Sequence, residues 1–452
     1  MPPPRTAAGA SPEARRLREQ LSPLVDQAVG LVAEPGLLPF PLGSGVMPIA
    51  TAHVGDAGAC IPAIRRYERW LRREPEQLDG SGGGFDVELA KSVAVAEALE
   101  RYCCSMYDPA DLHWATALEL GDEALDLDTL PRLSETELAL PRQGVRPAAK
   151  DASRHWVRGV RLRDGKPMWV PAMLAYLFFV PTEEENLANP ITTGCAVHTD
   201  PVLAIVKGLV EVVERDATAI AWHQRLPLPE IELDTGGPEL HRLIAAYGRN
   251  PHVDVRLFDA TTDIGVPTVF AVRIDRRSTA LRHVAICASN LDPELAAVNA
   301  VREVLSCHIS FQHQVDEAPA RAEDCYRTVD GALFTAHADR AEAFDFLLSG
   351  TTRRPLSALP TPPKRDSAES LRWLVGRLAA VGTEAYAVDL TTDEAHSVGM
   401  TSVKVIVPGL QPMSFVRTAQ YLGHPRLYAA PAAMGYPVRD EADLNPWPQP
   451  VA

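Results

Sequence analysis

The chain lacks a C-x-x-C pair, a G-K-[ST] phosphate loop and a G-x-G-x-x-G turn. Without C-x-x-C there is no signature for a structural zinc site. The seven cysteines are scattered, with only Cys103 and Cys104 adjacent, so no disulfide framework is expected and a reducing, cytoplasmic setting fits. Without either glycine motif, any nucleotide must be held by another device. The N-terminal MPPPRTAAGASPEARR has no apolar segment and does not read as a signal peptide. The longest apolar run, around Ala172–Val180, is too short to span a bilayer and reads as a buried strand or core helix. Basic residues are outnumbered: 44 Lys and Arg against 59 Asp and Glu give a formal net charge of −15. Neither nucleic acid nor membrane is therefore expected as a partner.

What the chain does contain is a repeated acidic pattern. Between Thr192 and Trp222 a glycine turn at Gly194 precedes Asp200-Pro201, an N-cap followed by proline at the first helical position. Apolar residues then recur at helical spacing, interrupted by Glu211, Glu214, Arg215 and Asp216. The earlier AEALERYC carries Glu97, Glu100 and Arg101 in the same E-x-x-E-R arrangement. Residues three apart lie on one helix face, so both glutamates of each pair are expected to point the same way. A single E-x-x-E-R reads equally as a solvated amphipathic face. Two copies on apolar helices predict four carboxylates in one pocket. Such a cluster requires cations, and Mg²⁺ carrying nucleotide phosphates suits hard oxygen ligands.

The order of elements predicts an α/β (α+β) fold of mixed sheets and packed helices. Residues 1–30 read as a tail and short helix, with 1 to about 12 disordered and helical periodicity over 13–33. Residues 31–440 read as one catalytic domain, and 441–452 as an extended proline-rich tail. IRRYERWLRR, residues 64–73, is a basic helix that either meets phosphate or an acidic peptide or is a solvated face. SGGGFD, residues 81–86, reads as a glycine turn before a helix at 87–104. Residues to about 150 are loop-like, followed by strands at HWVRGVRL and PMWVPAMLAYLFFV. Further helices are expected at 201–222, 240–247, 292–308, 336–348 and 370–381, with strands at HVDVRLFDA, TVFAVRID, HVAICASN, AYAVDL and SVKVIVPG.

Four stretches together resemble the YcaO family: SVAVAEALERYC, TTGCAVHTDPVLAIVKGLVEVVERDA, LDPELAAVNAVREV and DLTTDEAHSVGMTSVKVIVPGLQPMSF. The resemblance covers about residues 30 to 452. It implies a YcaO-type ATP-binding fold and an enzyme that activates a peptide amide. It further implies that Glu97, Glu100, Glu211 and Glu214 hold Mg²⁺ against ATP, with Ser92, Arg101, Arg215 and Glu303 as further cofactor-binding residues. The two arginines either bind phosphate oxygens or brace the neighbouring acids. Phosphorylating an amide oxygen makes it a good leaving group, and Mg²⁺ offsets the charge that develops. Pro446, Pro448 and Pro450 form the P-x-P-x-P ending of azoline-forming relatives, which implies that this tail, through Ala452, assists catalysis. Alternating prolines preset an extended backbone.

Two positions depart from many relatives. Val202 and Leu203 stand where a glutamate is common, and Gly84, Phe85 and Asp86 where a lysine is common. Asp200 is the only nearby substitute, and as an N-cap it is expected to be occupied by backbone N–H groups. His198 either reaches the site or is structural. Cys195 has no partner histidine evident in sequence, and Cys103 and Cys104 read as core.

The implied reaction is ATP-dependent cyclodehydration of Cys, Ser or Thr in a ribosomal precursor peptide to thiazoline or (methyl)oxazoline. Because no E1-like extension with zinc cysteines is evident, the expected partners are a separate E1-like (ThiF-like) leader-binding protein, a later FMN dehydrogenase and a second copy in a homodimer. The alternatives are thioamide or macrocyclic amidine formation, against which the tail argues, and a non-catalytic scaffold, against which the glutamates argue.

Overall fold

A computed structural model describes residues 10–39, 47–55, 78–140, 144–247, 249–363 and 366–451. The basic segment 64–73, the first nine residues and Ala452 lie outside the described residues.

Helix α1 (Pro12–Leu21) is shorter than the 13–33 periodicity predicts, because Pro23 enforces a 3-10 turn at Ser22–Leu24. Strands β1 (Gly36–Leu37), β2 (Ile49–Ala52) and β3 (Gly80–Gly83) form a three-stranded antiparallel sheet. The SGGG segment is therefore largely strand, not the expected turn. A Cβ on Gly80 would meet the Ala94 carbonyl oxygen at 2.0 Å, and one on Gly82 the Ala90 oxygen at 2.0 Å. The glycines are there so that the strand can lie directly on the backbone of α2 (Val87–Ser105), along its stripe of Ala90, Ala94 and Ala98.

A six-stranded sheet runs β4 (His113–Ala115), β5 (Arg154–Arg161), β13 (Tyr386–Asp389), β14 (Thr401–Ile406), β7 (Cys195–His198), with β6 (Lys166–Pro171) paired to β5. The apolar run that follows β6 is only partly regular: a short helix, Ala172–Ala175, and then non-helical, largely buried chain. A five-stranded sheet has the order β11 (His283–Ser289), β10 (Thr268–Asp275), β9 (Val253–Asp259), β8 (Glu230–Glu232), β12 (Arg353–Pro355), with only β8 and β12 parallel. The segment expected to be helical over 336–348 divides into a 3-10 stretch, Ala338–Phe344, and a short helix, Asp345–Leu348.

Helix α3 (Pro201–His223) packs on β14 and β7 on one side and on β11 on the other. It is thus buried between the two larger sheets, which is why it is apolar nearly all round. Helix α4 (Pro293–Gln312) covers β11 and β10, and α2 also reaches β7. Each of the three long helices opens on an aspartate N-cap, Asp86, Asp200 or Asp292. One buried ionic cluster fixes α3: Arg426 holds Asp216 at 2.8 Å and Asp263 at 2.6 Å, and the Gln411 N–H donates to Asp216 at 2.8 Å. The acid after Arg215 is therefore a fastening to the C-terminal segment.

Candidate active site

The three long helices bring five carboxylates together. On α2, Glu97 accepts from the Ser81 N–H of β3 at 2.7 Å and pairs with Arg101 at 2.7 Å. Glu100 turns inward beside Cys195 and Glu211. On α3, Glu211 accepts from the Gly194 N–H at 3.0 Å, whereas Glu214 accepts from the Ser289 N–H of β11 at 2.6 Å. The members of each pair thus splay toward different elements, because a three-residue step leaves them on adjacent, not identical, headings. Glu303 on α4 completes the group, facing Arg215, Arg302, Glu97 and Glu211.

Gly194 is required where it stands. Its φ is +86°, and a Cβ there would meet the Val405 carbonyl oxygen at 2.1 Å. The turn seats its N–H on Glu211, so a strand-to-helix connection becomes part of the carboxylate scaffold.

Arg215 lies at the centre, 3.5 Å from Glu211 and 3.4 Å from Glu214. Burial alone would lower its basicity, but Glu214, Glu211 and Glu303 outweigh that and raise it. One guanidinium does not satisfy the surrounding acids. Burial first, then Glu303 and Glu211, push Glu214 up to about 8 despite Arg215. Enclosure, with Glu97 and Glu211 adding, pushes Glu303 up to about 7 despite Arg215 and Arg302. Glu303 is nonetheless open to solvent, and water reaching it screens that repulsion. Burial raises Glu100 well above the usual carboxylate range, with Cys195, Glu211 and Glu97 adding to it. Both E-x-x-E-R arginines brace acids here, Arg101 also donating to the Asp79 carbonyl.

This donor set fits Mg²⁺ carried by a nucleotide. It consists of hard oxygens, clustered and short of positive charge. Among the described residues no three acidic, cysteine or histidine groups form a ready-made metal cage. An ion would take its remaining ligands from phosphate and water, as Mg²⁺ commonly does.

Other expected residues fall elsewhere. The buried Ser92 hydroxyl donates to the Glu88 carbonyl at 2.8 Å, and among the described residues no contact links it to the carboxylates. Asp200 accepts from the Val202 and Leu203 N–H groups, as its capping role predicts, and does not replace the missing glutamate. Asp200→Ala is expected to lower Tm by about 1–2 °C and to leave Mg-ATP affinity unchanged, as thermal melts and calorimetry would report. His198 is structural, its Nδ1 accepting from the Asp200 N–H at 2.9 Å. Cys195 lies buried beside Cys104 and Lys404. Burial would raise its thiol, but the Cys104 hydrogen bond and the Lys404 ammonium bring it below the ordinary value.

Sequence reasoning missed Ser81, Arg302 and Lys207. Lys207 sits one turn before Glu211, is solvent-accessible and feels Glu100. Its i, i+4, i+7 spacing with Glu211 and Glu214 was the available signal.

The proline tail is ordered and largely buried. Trp222 Nε1–H donates to the Trp447 carbonyl at 3.0 Å, and the Asn445 N–H donates to the His223 carbonyl at 2.8 Å. Arg417 donates to the Pro446 carbonyl at 3.2 Å, and Gln449 Nε2 lies 3.0 Å from His223 Nε2. Pro448, Pro450 and Val451 are buried, while Pro446 is exposed. The tail thus docks at the far end of the helix that carries Glu214, about 12 Å along its axis from a rise of about 1.5 Å per residue. Burial, reinforced by Arg417, lowers His223 to about 3. Its ring is expected to stay neutral from about pH 5 to 8. An NMR titration should show no shift change there; a midpoint near the ordinary histidine value would mean that the tail does not seal it.

A family model described as "YcaO cyclodehydratase, ATP-ad Mg2+-binding" matches residues 81–411. An uncharacterized protein of Methanothermobacter thermautotrophicus is 29% identical over 345 residues, covering 74% of this chain and 82% of that one. An uncharacterized protein encoded in the tfuA 3′ region of Rhizobium leguminosarum bv. trifolii is 27% identical over 343 residues, covering 73% of this chain and 76% of that one. Among solved structures, a heterocyclase in complex with substrate and cofactor superposes with a TM-score of 0.78 at 23% identity, over 97% of this chain and 57% of that one. The chain thus spans little more than half the length of that heterocyclase. YcaO from Methanopyrus kandleri, bound with AMPPCP and Mg²⁺, gives 0.62 at 21% identity over 88% and 90%. These likenesses show the fold. No helix among the described residues is long and apolar enough to cross a membrane.

Proposed function

The chain belongs to the YcaO family, and from that premise we propose that it is an ATP-dependent cyclodehydratase acting on a ribosomal precursor peptide. The observation that carries this reading is the convergence of Glu97, Glu100, Glu211, Glu214 and Glu303, the last three facing Arg215. A scaffold protein gains nothing from crowding mutually repelling acids, and a cationic ligand would offset the repulsion.

In this reading Glu97, Glu100, Glu211 and Glu214 hold Mg²⁺ against the ATP phosphates, with Glu303 beside them. Mg-ATP supplies the phosphoryl group that turns the amide oxygen into a leaving group. The side chain of Cys, Ser or Thr gives up its proton and attacks the carbonyl carbon of the preceding amide, the oxygen departs as phosphate, and loss of the amide N–H proton forms the C=N bond of the azoline, with ADP as the other product. Arg215 keeps Glu211 and Glu214 aimed into the site. Lys207 and Arg302 offer the positive charge that the early glycine segment lacks. Ser92 is left out, because its hydroxyl serves the helix backbone.

The docked Pro446–Pro450 segment favours azoline formation over thioamide or amidine formation. A P-x-P-x-P tail pinned to the far end of α3 would order the peptide on its approach to the carboxylates. A cytoplasmic location, a separate E1-like leader-binding protein, a later FMN dehydrogenase and a homodimer complete the proposal.

The test is mass spectrometry of a precursor peptide incubated with the chain, its leader-binding partner and Mg-ATP. The expected result is loss of one water per ring, with one ADP and one phosphate formed each time. ATP consumption with the peptide mass unchanged, or replacement of oxygen by sulfur, would reject cyclodehydration.

A further inference from the structure

We propose that the cavity behind Arg215 receives an apolar side chain of the substrate peptide, together with the amide next to it. This rests on the reading above that the substrate is a peptide. The cavity has a volume of about 140 Å³ and is lined mainly by apolar groups, among them Met173, Leu187, Ile191, Val212, Leu410 and Met413. An apolar cavity of about 150 Å³ accepts a benzene-sized group, so this one suits the side chain of Leu, Met or Phe.

Its position ties it to the chemistry. Arg215 lines the cavity and also touches Glu211 and Glu214. The Arg215 guanidinium is therefore shared between the apolar space and the carboxylates. On another wall, Gln411 Nε2 donates to the Gln420 and Tyr421 carbonyls, and the Gln420 side chain accepts from Gln449 of the tail. The cavity thus lies between the carboxylate cluster and the support of the proline tail.

The polar content of the lining is specific. Among the described residues, Arg215 Nε, Asn189 Nδ2 and Gln411 Oε1, each on a residue of the lining, are buried without a protein partner. Buried polar groups are normally paired, and an unpaired one is costly. Two donors and one acceptor complement one peptide amide, whose carbonyl accepts two hydrogen bonds and whose N–H gives one. Mainly apolar walls with these few unpartnered polar atoms suit a blocked apolar amino acid.

The probes are N-acetyl-leucine N-methylamide and its glycine and phenylalanine counterparts, titrated into the full chain and followed by NMR. The wild type is expected to bind the leucine probe at least tenfold tighter than the glycine probe. Ala188→Trp, a half-buried lining position outside the carboxylate machinery, should weaken the leucine probe at least tenfold and leave Mg-ATP binding intact. Met413→Ala, which enlarges the space, should shift preference from leucine toward phenylalanine. Equal binding of leucine and glycine probes, or unchanged leucine binding in Ala188→Trp with unchanged preference in Met413→Ala, overturns the proposal. Loss of Mg-ATP binding in a folded Ala188→Trp would assign the cavity to the nucleotide and also overturn it. A wild type that binds the leucine probe but not Mg-ATP would reject the cyclodehydratase reading while the pocket stands.

Discussion

Replacing Glu97 and Glu214 together by glutamine is expected to weaken Mg-ATP binding by about 10³-fold or more, beyond detection by calorimetry. Glutamine preserves shape, and its oxygen can still accept from the Ser81 and Ser289 N–H groups that hold the two side chains. What disappears is the capacity of two of the five carboxyl groups to ionise against a cation. Changes one shell out from a metal already cost about 10–100-fold, so two direct losses on different helices should compound. The variant should melt close to the wild type, because Glu214, held up to about 8, is largely protonated before a cation binds, and the half-exposed Glu97–Arg101 pair that is given up is worth little. That combination, lost nucleotide binding with intact stability, separates a ligand role from a folding role. Undiminished affinity in the double variant would remove the carboxylates from the nucleotide site.

Gly331→Ala is the second large effect. Gly331 sits in the short helix Asp330–Ala336, and a Cβ there would lie 2.3 Å from the Gln449 carbonyl oxygen and 3.4 Å from the Pro448 Cβ. Helical backbone suits alanine well, so the substitution acts on the tail and not on its own helix. The tail must move, which disturbs the Gln449 contacts to His223 and Gln420. Misplacing a positioning group by about 1 Å can cost about 10²-fold in rate. Peptide modification is expected to fall by about that factor while Mg-ATP affinity stays within twofold. Single-turnover assays and nucleotide titration on one preparation would measure both. Full turnover with residues 446–451 freed, as hydrogen exchange would report, would exclude the tail from the reaction. Cutting the chain after Leu444 is a poorer test, because it also removes Val451 from the main apolar core.

Much of this was legible in the chain itself. The helix starts at Asp86, Asp200-Pro201 and Asp292-Pro293 fall where local capping chemistry places them. The two E-x-x-E-R patterns disclosed the acids of α2 and α3, since side chains three apart stay near neighbours on a helix even where, as here, each takes its own backbone partner. The alternation in HVDVRLFDA marked β9, because the pleat has a period of two, and short apolar runs marked the buried β10 and β11. SGGG misled for the opposite reason: glycine carries no pattern, and only the backbone of α2 across from Gly80 and Gly82 reveals that close packing, not turning, requires it.

The sequence by itself determined which helices carry paired carboxylates, where those helices begin, and that the chain ends in stiff, extended prolines, since each follows from neighbours within a turn or two. The tertiary structure alone decided that Glu214 reaches Ser289, that the tail is buried against Trp222 and Gly331, and that an apolar cavity opens behind Arg215. Those facts depend on which elements pack together across 75 to more than 200 residues of chain. Such packing is set by the summed burial of whole faces, and no local spacing records it.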